Sequence, residues 1–160
     1  MRPVALALVI TLALTSPAFA HDYAAINALD NVVEYIDPST VKADGDIRTF
    51  WIDTVYIQTN DLGVDWTSSH EQVDCKADRS IALDVIGYKM NGEVVASTTT
   101  IPNHSPQWID IPPETVAAAT EDAVCHGQYL GFDSGASFME VAPVARRRLL
   151  QIAAKKASLR

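Results

Sequence analysis

The segment at residues 47–58 constrains the fold most, because apolar side chains alternate onto both of its faces. In a β-strand successive side chains point to opposite sides, so two apolar sets on one strand face two different layers. The sets are Trp51, Val55 and Ile57 on one face, and Phe50, Ile52 and Tyr56 on the other. This pattern is typical of a strand in the middle of a sheet that is covered on both sides. We therefore predict a central strand here.

Further strand patterns lie on both sides of this segment and are separated by turn signals. They occur at residues 32–36, 69–75, 80–90 and 93–99. Between the last two lies Asn91-Gly92, a strong hairpin signal because both residues tolerate positive φ. Asp37-Pro38-Ser39 marks a turn after the strand pattern at residues 32–36. The middle of the chain is thus predicted to be an antiparallel meander.

Two helices are predicted after the strands. Pro112-Pro113 can begin the first, because proline at the first helical position loses no hydrogen bond, and Cys125 ends it. Residues 126–137 contain three glycines and are interpreted as a linker. The second helix is predicted at residues 138–160, where basic residues separate apolar ones at helical spacing: Phe138, Val141, Ala145, Leu149 and Ile152.

Residues 1–20 have the order of a cleavable signal peptide. Arg2 precedes an apolar run, and Ala18-Phe19-Ala20 supplies the small residues of a cleavage site before His21. The alternative is a retained hydrophobic anchor, but the run is shorter than the roughly 20 residues that cross a bilayer. We expect an exported protein that acts in the periplasm, on the outer surface or in the medium.

Cys75 and Cys125 are the two cysteines of the chain. An even number of cysteines in an exported chain indicates a disulfide, which here would tie the first helix to the sheet. Two free thiols, or half of a metal site, are the alternatives. Neither cysteine has a partner at the short spacing that zinc sites use.

Charge is distributed unevenly along the chain. Residues 21–145 carry five basic and twenty acidic side chains, a net charge of −15, whereas residues 146–160 carry six basic side chains and no acidic one. An acidic body argues against nucleic acid as a partner. The basic residues of the second helix are candidates for binding an anionic membrane or a partner, or for docking onto the acidic body: Arg146, Arg147, Arg148, Lys155 and Lys156.

The sequence contains no recognisable catalytic, cofactor or metal signature. No serine lies in a G-x-S-x-G motif, and the four histidines lack the spacing of paired metal ligands. His21 offers one alternative, since an N-terminal amine and imidazole could bind Cu(II) together with a second histidine. We expect a non-enzymatic protein that needs no cofactor.

The three tryptophans are expected to play different roles. Trp51 and Trp108 are predicted to lie in the core, because aromatic side chains supply much of the burial of a small sheet. Trp66 lies in the polar run Asp65-Trp66-Thr67 without a strand pattern around it. It is therefore the candidate binding residue of a surface loop, with a loop folded onto the sheet as the alternative.

The order of several short motifs resembles the surface-adhesin protein E family of Gram-negative bacteria. These are Tyr35-Ile36-Asp37-Pro38-Ser39-Thr40-Val41, Phe50-Trp51, Val73-Asp74-Cys75, Tyr88 with Gly92, Trp108-x-x-x-Pro112, and Cys125 at the end of a helix. The resemblance implies a small sheet, a packed helix and a structural disulfide within residues 21–125. The family's named member is an adhesin that binds host extracellular matrix proteins. The basic helix lies outside the resemblance.

Together these patterns predict an α+β fold with a small antiparallel sheet, one disulfide-tethered helix and an added C-terminal amphipathic helix. The function expected from the resemblance is an exported, non-enzymatic binding module whose ligand is a host or envelope protein. The alternative is a structural or stress-related periplasmic protein whose basic helix docks on a membrane or a partner.

Overall fold

The computed structural model describes residues 20–98 and 105–159. The signal-peptide prediction falls almost wholly outside these residues. The strands are β1 (His21–Ala28), β2 (Val32–Ile36), β3 (Lys42–Asp44), β4 (Ile47–Tyr56), β5 (Trp66–Asp74), β6 (Arg79–Tyr88), β7 (Val94–Ser97), β8 (Ile109–Asp110) and β9 (Gly131–Gly135). The helices are α1 (Val116–His126) and α2 (Phe138–Ala157), and a 3₁₀ turn spans Pro38–Thr40.

All described strands belong to one antiparallel sheet. Its order is β7-β6-β5-β4-β2-β1-β9, with β3 pairing β4 and β8 pairing β6. Strands β4 to β7 are sequential neighbours, so the predicted meander is confirmed. The predicted α+β class is confirmed as well. The sheet is larger than predicted, because β1, β3, β8 and β9 join it.

The sheet is covered by one helix on each face. On the α1 face, Phe50 and Ile52 pack with Ala123 and Val124 of the helix. On the α2 face, Val55 belongs to a separate cluster that the second helix completes. Because neighbouring residues of β4 contribute to both clusters, the predicted central strand with two apolar faces is confirmed.

Helix α1 begins later than predicted and is bonded to the sheet. Its N-cap is Thr115, whose hydroxyl accepts a hydrogen bond from the Ala118 N–H. Pro112-Pro113 does not begin it, because Glu114 between them and the cap has φ 61°, outside the helical range. The Cys75–Cys125 disulfide is present, with 5.9 Å between the Cα atoms. Closing a loop of this length contributes about 4 kcal/mol in the chain-entropy model.

Helix α2 docks on its own domain through the predicted apolar stripe. Phe138, Val141, Ala145 and Leu149 are buried in the α2-face cluster, whereas Ile152 at the end of the stripe is 52% exposed. The apolar face that could have entered a membrane interface is therefore occupied by the sheet. Neither α1 nor α2 is long and apolar enough to span a bilayer.

The interpretation of residues 126–137 as a linker is wrong for residues 131–135. Gly131–Gly135 forms strand β9 and pairs with β1 in register from His21↔Gly135 to Ala25↔Gly131. The glycine-rich stretch thus continues the sheet and leads directly into α2. It was missed because a strand of glycine, serine and aspartate lacks the β-branched residues that indicate strands.

Candidate binding site

Helix α2 covers only part of its face of the sheet. Its first residue, Phe138, contacts the rings of Tyr23, Tyr35 and Trp66 at centroid distances of 5.2 to 5.7 Å. The strands extend beyond Phe138, toward Trp51 on β4 and His70 on β5. Because the helix starts at Phe138, this end of the sheet is left open.

The open end contains a pocket of about 340 Å³, which we call the Trp51 pocket. Its lining residues come from the 3₁₀ turn and from strands β3, β4 and β5: Ser39, Thr40, Lys42, Thr49, Phe50, Trp51 and His70. None of these side chains is a carboxylate. The pocket is thus free of negative charge on a body with net charge −15.

Trp51 is held in place without being buried. It lies opposite His70 on the neighbouring strand, and the two rings stack with centroids 4.8 Å apart and planes inclined by 14°. Cross-strand aromatic pairs of this kind stabilise one rotamer of each ring. The indole nevertheless remains 37% exposed. An ordered, exposed tryptophan loses little conformational entropy when a ligand packs on it.

The rim of the Trp51 pocket provides hydrogen-bond donors that the protein does not use. Thr49 Oγ1 accepts from Gln72 Nε2 at 3.1 Å, which leaves its hydroxyl hydrogen available. Within the described part of the chain, the Lys42 ammonium and the His70 ring make no hydrogen bond or ion pair. Donors on three strands therefore surround the indole.

Asp37 fixes the turn on one side of the pocket. Its carboxylate accepts from the Ser39 hydroxyl at 2.6 Å and contacts His21 Nδ1 at 2.5 Å, and its carbonyl accepts from Thr40 Oγ1. Burial opposes ionisation of Asp37, but the hydrogen bonds from Ser39 and His21 outweigh it and lower its pKa. These bonds hold Ser39 and Thr40 in position at the pocket.

His21 is therefore part of a strand and of this hydrogen-bonded turn. No group of three or more His, Cys, Asp or Glu side chains that could hold a metal ion occurs within residues 20–98 and 105–159.

Asp53 lies between the open end and the covered end of the same face. Its carboxyl is buried, and burial raises its pKa to about 7, with a further contribution from Asp37. A hydrogen bond with Ser68 opposes this shift only in part. Nothing in the sequence pattern distinguished Asp53 from the many solvated carboxylates.

The structure reverses the predicted placement of the tryptophans. Trp66 begins β5, is 5% exposed and stacks on Tyr88 at 4.1 Å, so the prediction of a surface loop at Trp66 is wrong. Trp108, expected in the core, is 37% exposed beneath the Arg79 guanidinium. Trp51 is exposed to the same extent. Of the three, Trp66 offers a partner the least surface.

Three of the five candidate basic residues on α2 are paired with the acidic body. Arg146 donates to Asp65 and to the Tyr56 carbonyl, Arg148 contacts both carboxylate oxygens of Asp133, and Lys156 contacts Asp30. Arg147 and Lys155 are exposed and make no ion pair within the described residues. The basic helix thus neutralises part of its own domain.

Asp65 is the most buried of these carboxylates. It accepts hydrogen bonds from Thr59 Oγ1, the Met90 N–H and Arg146 Nη2 at 2.5, 2.8 and 3.0 Å. Burial opposes its ionisation, but these three donors outweigh it and lower the pKa of Asp65. The ion pair with Arg146 therefore fixes α2 to the loop between β4 and β5.

The fold and the site define a disulfide-linked α+β domain with an open aromatic pocket at one end of its sheet. The sequence model of surface-adhesin protein E matches residues 23–126, which is more than half of the chain. The chain belongs to the surface-adhesin protein E family. No curated protein and no solved structure matches it. Family membership and the disulfide together indicate an exported, non-enzymatic surface protein.

Proposed function

We propose that this chain is an adhesin of the bacterial surface that binds a host or envelope protein partner through the Trp51 pocket. The observation that supports this most is Trp51 itself, which is exposed yet held by its stack on His70. Ordered tryptophans that enter a partner's surface are the residue type that most often dominates binding energy.

The charges around the pocket support the same assignment. The pocket is lined by Lys42 and by no carboxylate, so an anionic ligand there meets less repulsion than elsewhere on the acidic body; the nearby Asp37 carboxylate lies behind Ser39. Arg147 and Lys155 on α2 remain available to an acidic segment of the partner. These two side chains would speed the association of the partner by electrostatic attraction, but they would not form the main contact, because exposed charges contribute little affinity.

We do not propose a membrane anchor at residues 138–160. Interfacial binding needs an apolar helix face in the lipid as well as basic residues. In α2 that face packs on Val33, Val55 and Trp66, and three basic side chains already contact carboxylates. A helix in this position serves the domain as a cover for its sheet.

The Trp51→Ala variant is expected to bind immobilised extracellular matrix proteins about tenfold or more weakly than the native chain. The loss reflects the indole surface and its stacking, at roughly 1.4 kcal/mol for each factor of ten. Surface plasmon resonance of the mature protein over a panel of purified matrix proteins measures it.

Trp108→Ala is the matched control, because Trp108 has the same exposed fraction but does not line the pocket. Its affinity is expected to equal that of the native chain. Equal affinity of both variants and the native chain would contradict the assignment of binding to the Trp51 pocket.

A further inference from the structure

We infer that the ligand of the Trp51 pocket is a sugar ring of a glycan carried by the partner. The inference rests on the proposed function and specifies the chemistry of the same site. It starts from the size of the pocket, about 340 Å³, which is at the lower end of the range for small-molecule sites, about 300–1,000 Å³. Such a volume fits one ring better than a large apolar group or several residues of a chain.

The lining matches the two kinds of surface that a pyranose presents. One face of such a ring carries C–H groups, which pack on a flat aromatic surface such as the exposed indole of Trp51. Its edge carries hydroxyls, which both donate and accept hydrogen bonds. The side chains of Lys42, Thr49 and His70 surround the indole and can form hydrogen bonds with these hydroxyls.

A peptide ligand is disfavoured by the position of the pocket in the sheet. Extended peptides gain affinity by pairing their backbone with the free edge of a sheet. Strand β4 is paired on both sides, with β5 on one and with β2 and β3 on the other, and β5 is paired with β4 and β6. On the side of β2 and β3, only Phe50 and Trp51 of β4 lack a strand partner, since β2 pairs residues 52–56 and β3 pairs residues 47–49. Two residues are too short an edge for an extended peptide to pair with, so the pocket mainly offers a ligand side chains and the 3₁₀ turn.

Charge narrows the class of sugar. Lys42 is the one lysine or arginine that lines the pocket, and the body around it has a net charge of −15. A highly sulfated glycan would bring many negative charges close to the acidic protein, where Lys42 is the one pocket cation that could pair with them. The site therefore suits a neutral sugar, or one that carries a single carboxylate.

The test compares three forms of ligand with the same native protein. The probes are a matrix glycoprotein, the same glycoprotein after enzymatic removal of its glycans, and the released oligosaccharides. We expect at least tenfold weaker binding to the deglycosylated form. We also expect saturation-transfer NMR signals from the released oligosaccharides, which disappear with Trp51→Ala and persist with Trp108→Ala.

The outcomes separate this inference from the proposed function. Undiminished binding to the deglycosylated protein, with no saturation transfer to any released oligosaccharide, would overturn the sugar assignment and leave a protein-binding adhesin. Saturation transfer that persists unchanged in Trp51→Ala would also overturn it, because the sugar would then bind elsewhere. Binding of neither form of the glycoprotein, with no transfer to the oligosaccharides, would overturn both proposals.

Discussion

Replacing Trp66 by alanine is expected to lower the free energy of unfolding by about 3 to 5 kcal/mol, the range for a large buried aromatic. Trp66 stacks on Tyr88, contacts Phe138 at 5.3 Å and donates its indole N–H to the Lys89 carbonyl. Its removal would leave a cavity where α2 meets the sheet, and the Lys89 carbonyl would keep only its hydrogen bond from the Gly92 N–H. Urea denaturation followed by far-UV circular dichroism measures the loss.

The comparison variant is Trp51→Ala, which removes the same side chain from the open end of the same face. This variant is expected to lower the free energy of unfolding by only about 1 kcal/mol, the scale of one aromatic stack, because Trp51 is open to water. The placement of the two tryptophans would be refuted if Trp51→Ala lowered the unfolding free energy more than Trp66→Ala did.

Replacing Asp53 by asparagine is expected to stabilise the protein at pH 8 by up to about 4 kcal/mol. Burial raises the pKa of Asp53 to about 7 in the folded state, against a usual value of 3.8 in the unfolded chain. Each pKa unit of difference corresponds to about 1.4 kcal/mol of stability. The asparagine keeps the shape and a hydrogen-bonding oxygen for Ser68 without ionising.

The sign of the pH dependence follows from the order in which the two states ionise. Below about pH 4 the Asp53 carboxyl is protonated in both, and between pH 4 and pH 7 only the unfolded chain loses the proton. The Asp53 contribution to stability therefore falls as pH rises through this window and is constant above it. The pKa values of Asp37 and Asp65 are lowered in the folded state, so their contributions to stability rise with pH instead of falling. This rise occurs at lower pH, below the usual carboxyl pKa.

The difference in unfolding free energy between Asp53→Asn and the native protein isolates this one group, since both share the other carboxylates. We expect that difference to grow from pH 4 to pH 7 and then to level off. A difference that stays constant over this range would show that Asp53 titrates near its ordinary pKa and is not desolvated.

Much of the fold could be predicted from local patterns. The two apolar faces of residues 47–58 identified the central strand, Asn91-Gly92 identified a hairpin, and Cys75 with Cys125 identified the disulfide. Each of these signals depends on the chemistry of neighbouring residues or on a covalent bond. The apolar stripe of α2 likewise identified which side of that helix is buried.

The site could not be predicted, because alternation assigns a residue to a face but not to a covered part of it. Trp51 and Val55 share a face of β4, about 13 Å apart at 3.3 Å per residue. Along β4, helix α2 begins between the positions of Trp51 and Val55, so it covers Val55 and leaves Trp51 open. Where α2 begins depends in turn on β9, whose pairing with β1 joins residues more than 100 positions apart.

The most direct test of the account observes the three tryptophan side chains at once. Mature protein labelled with ¹⁵N shows one indole N–H resonance for each of Trp51, Trp66 and Trp108, which single substitutions assign. On addition of the matrix glycoprotein that the native chain binds, or of its released oligosaccharides, we expect the Trp51 resonance to shift or broaden selectively while the others keep their positions. A shift at Trp108 with Trp51 unchanged would contradict the account.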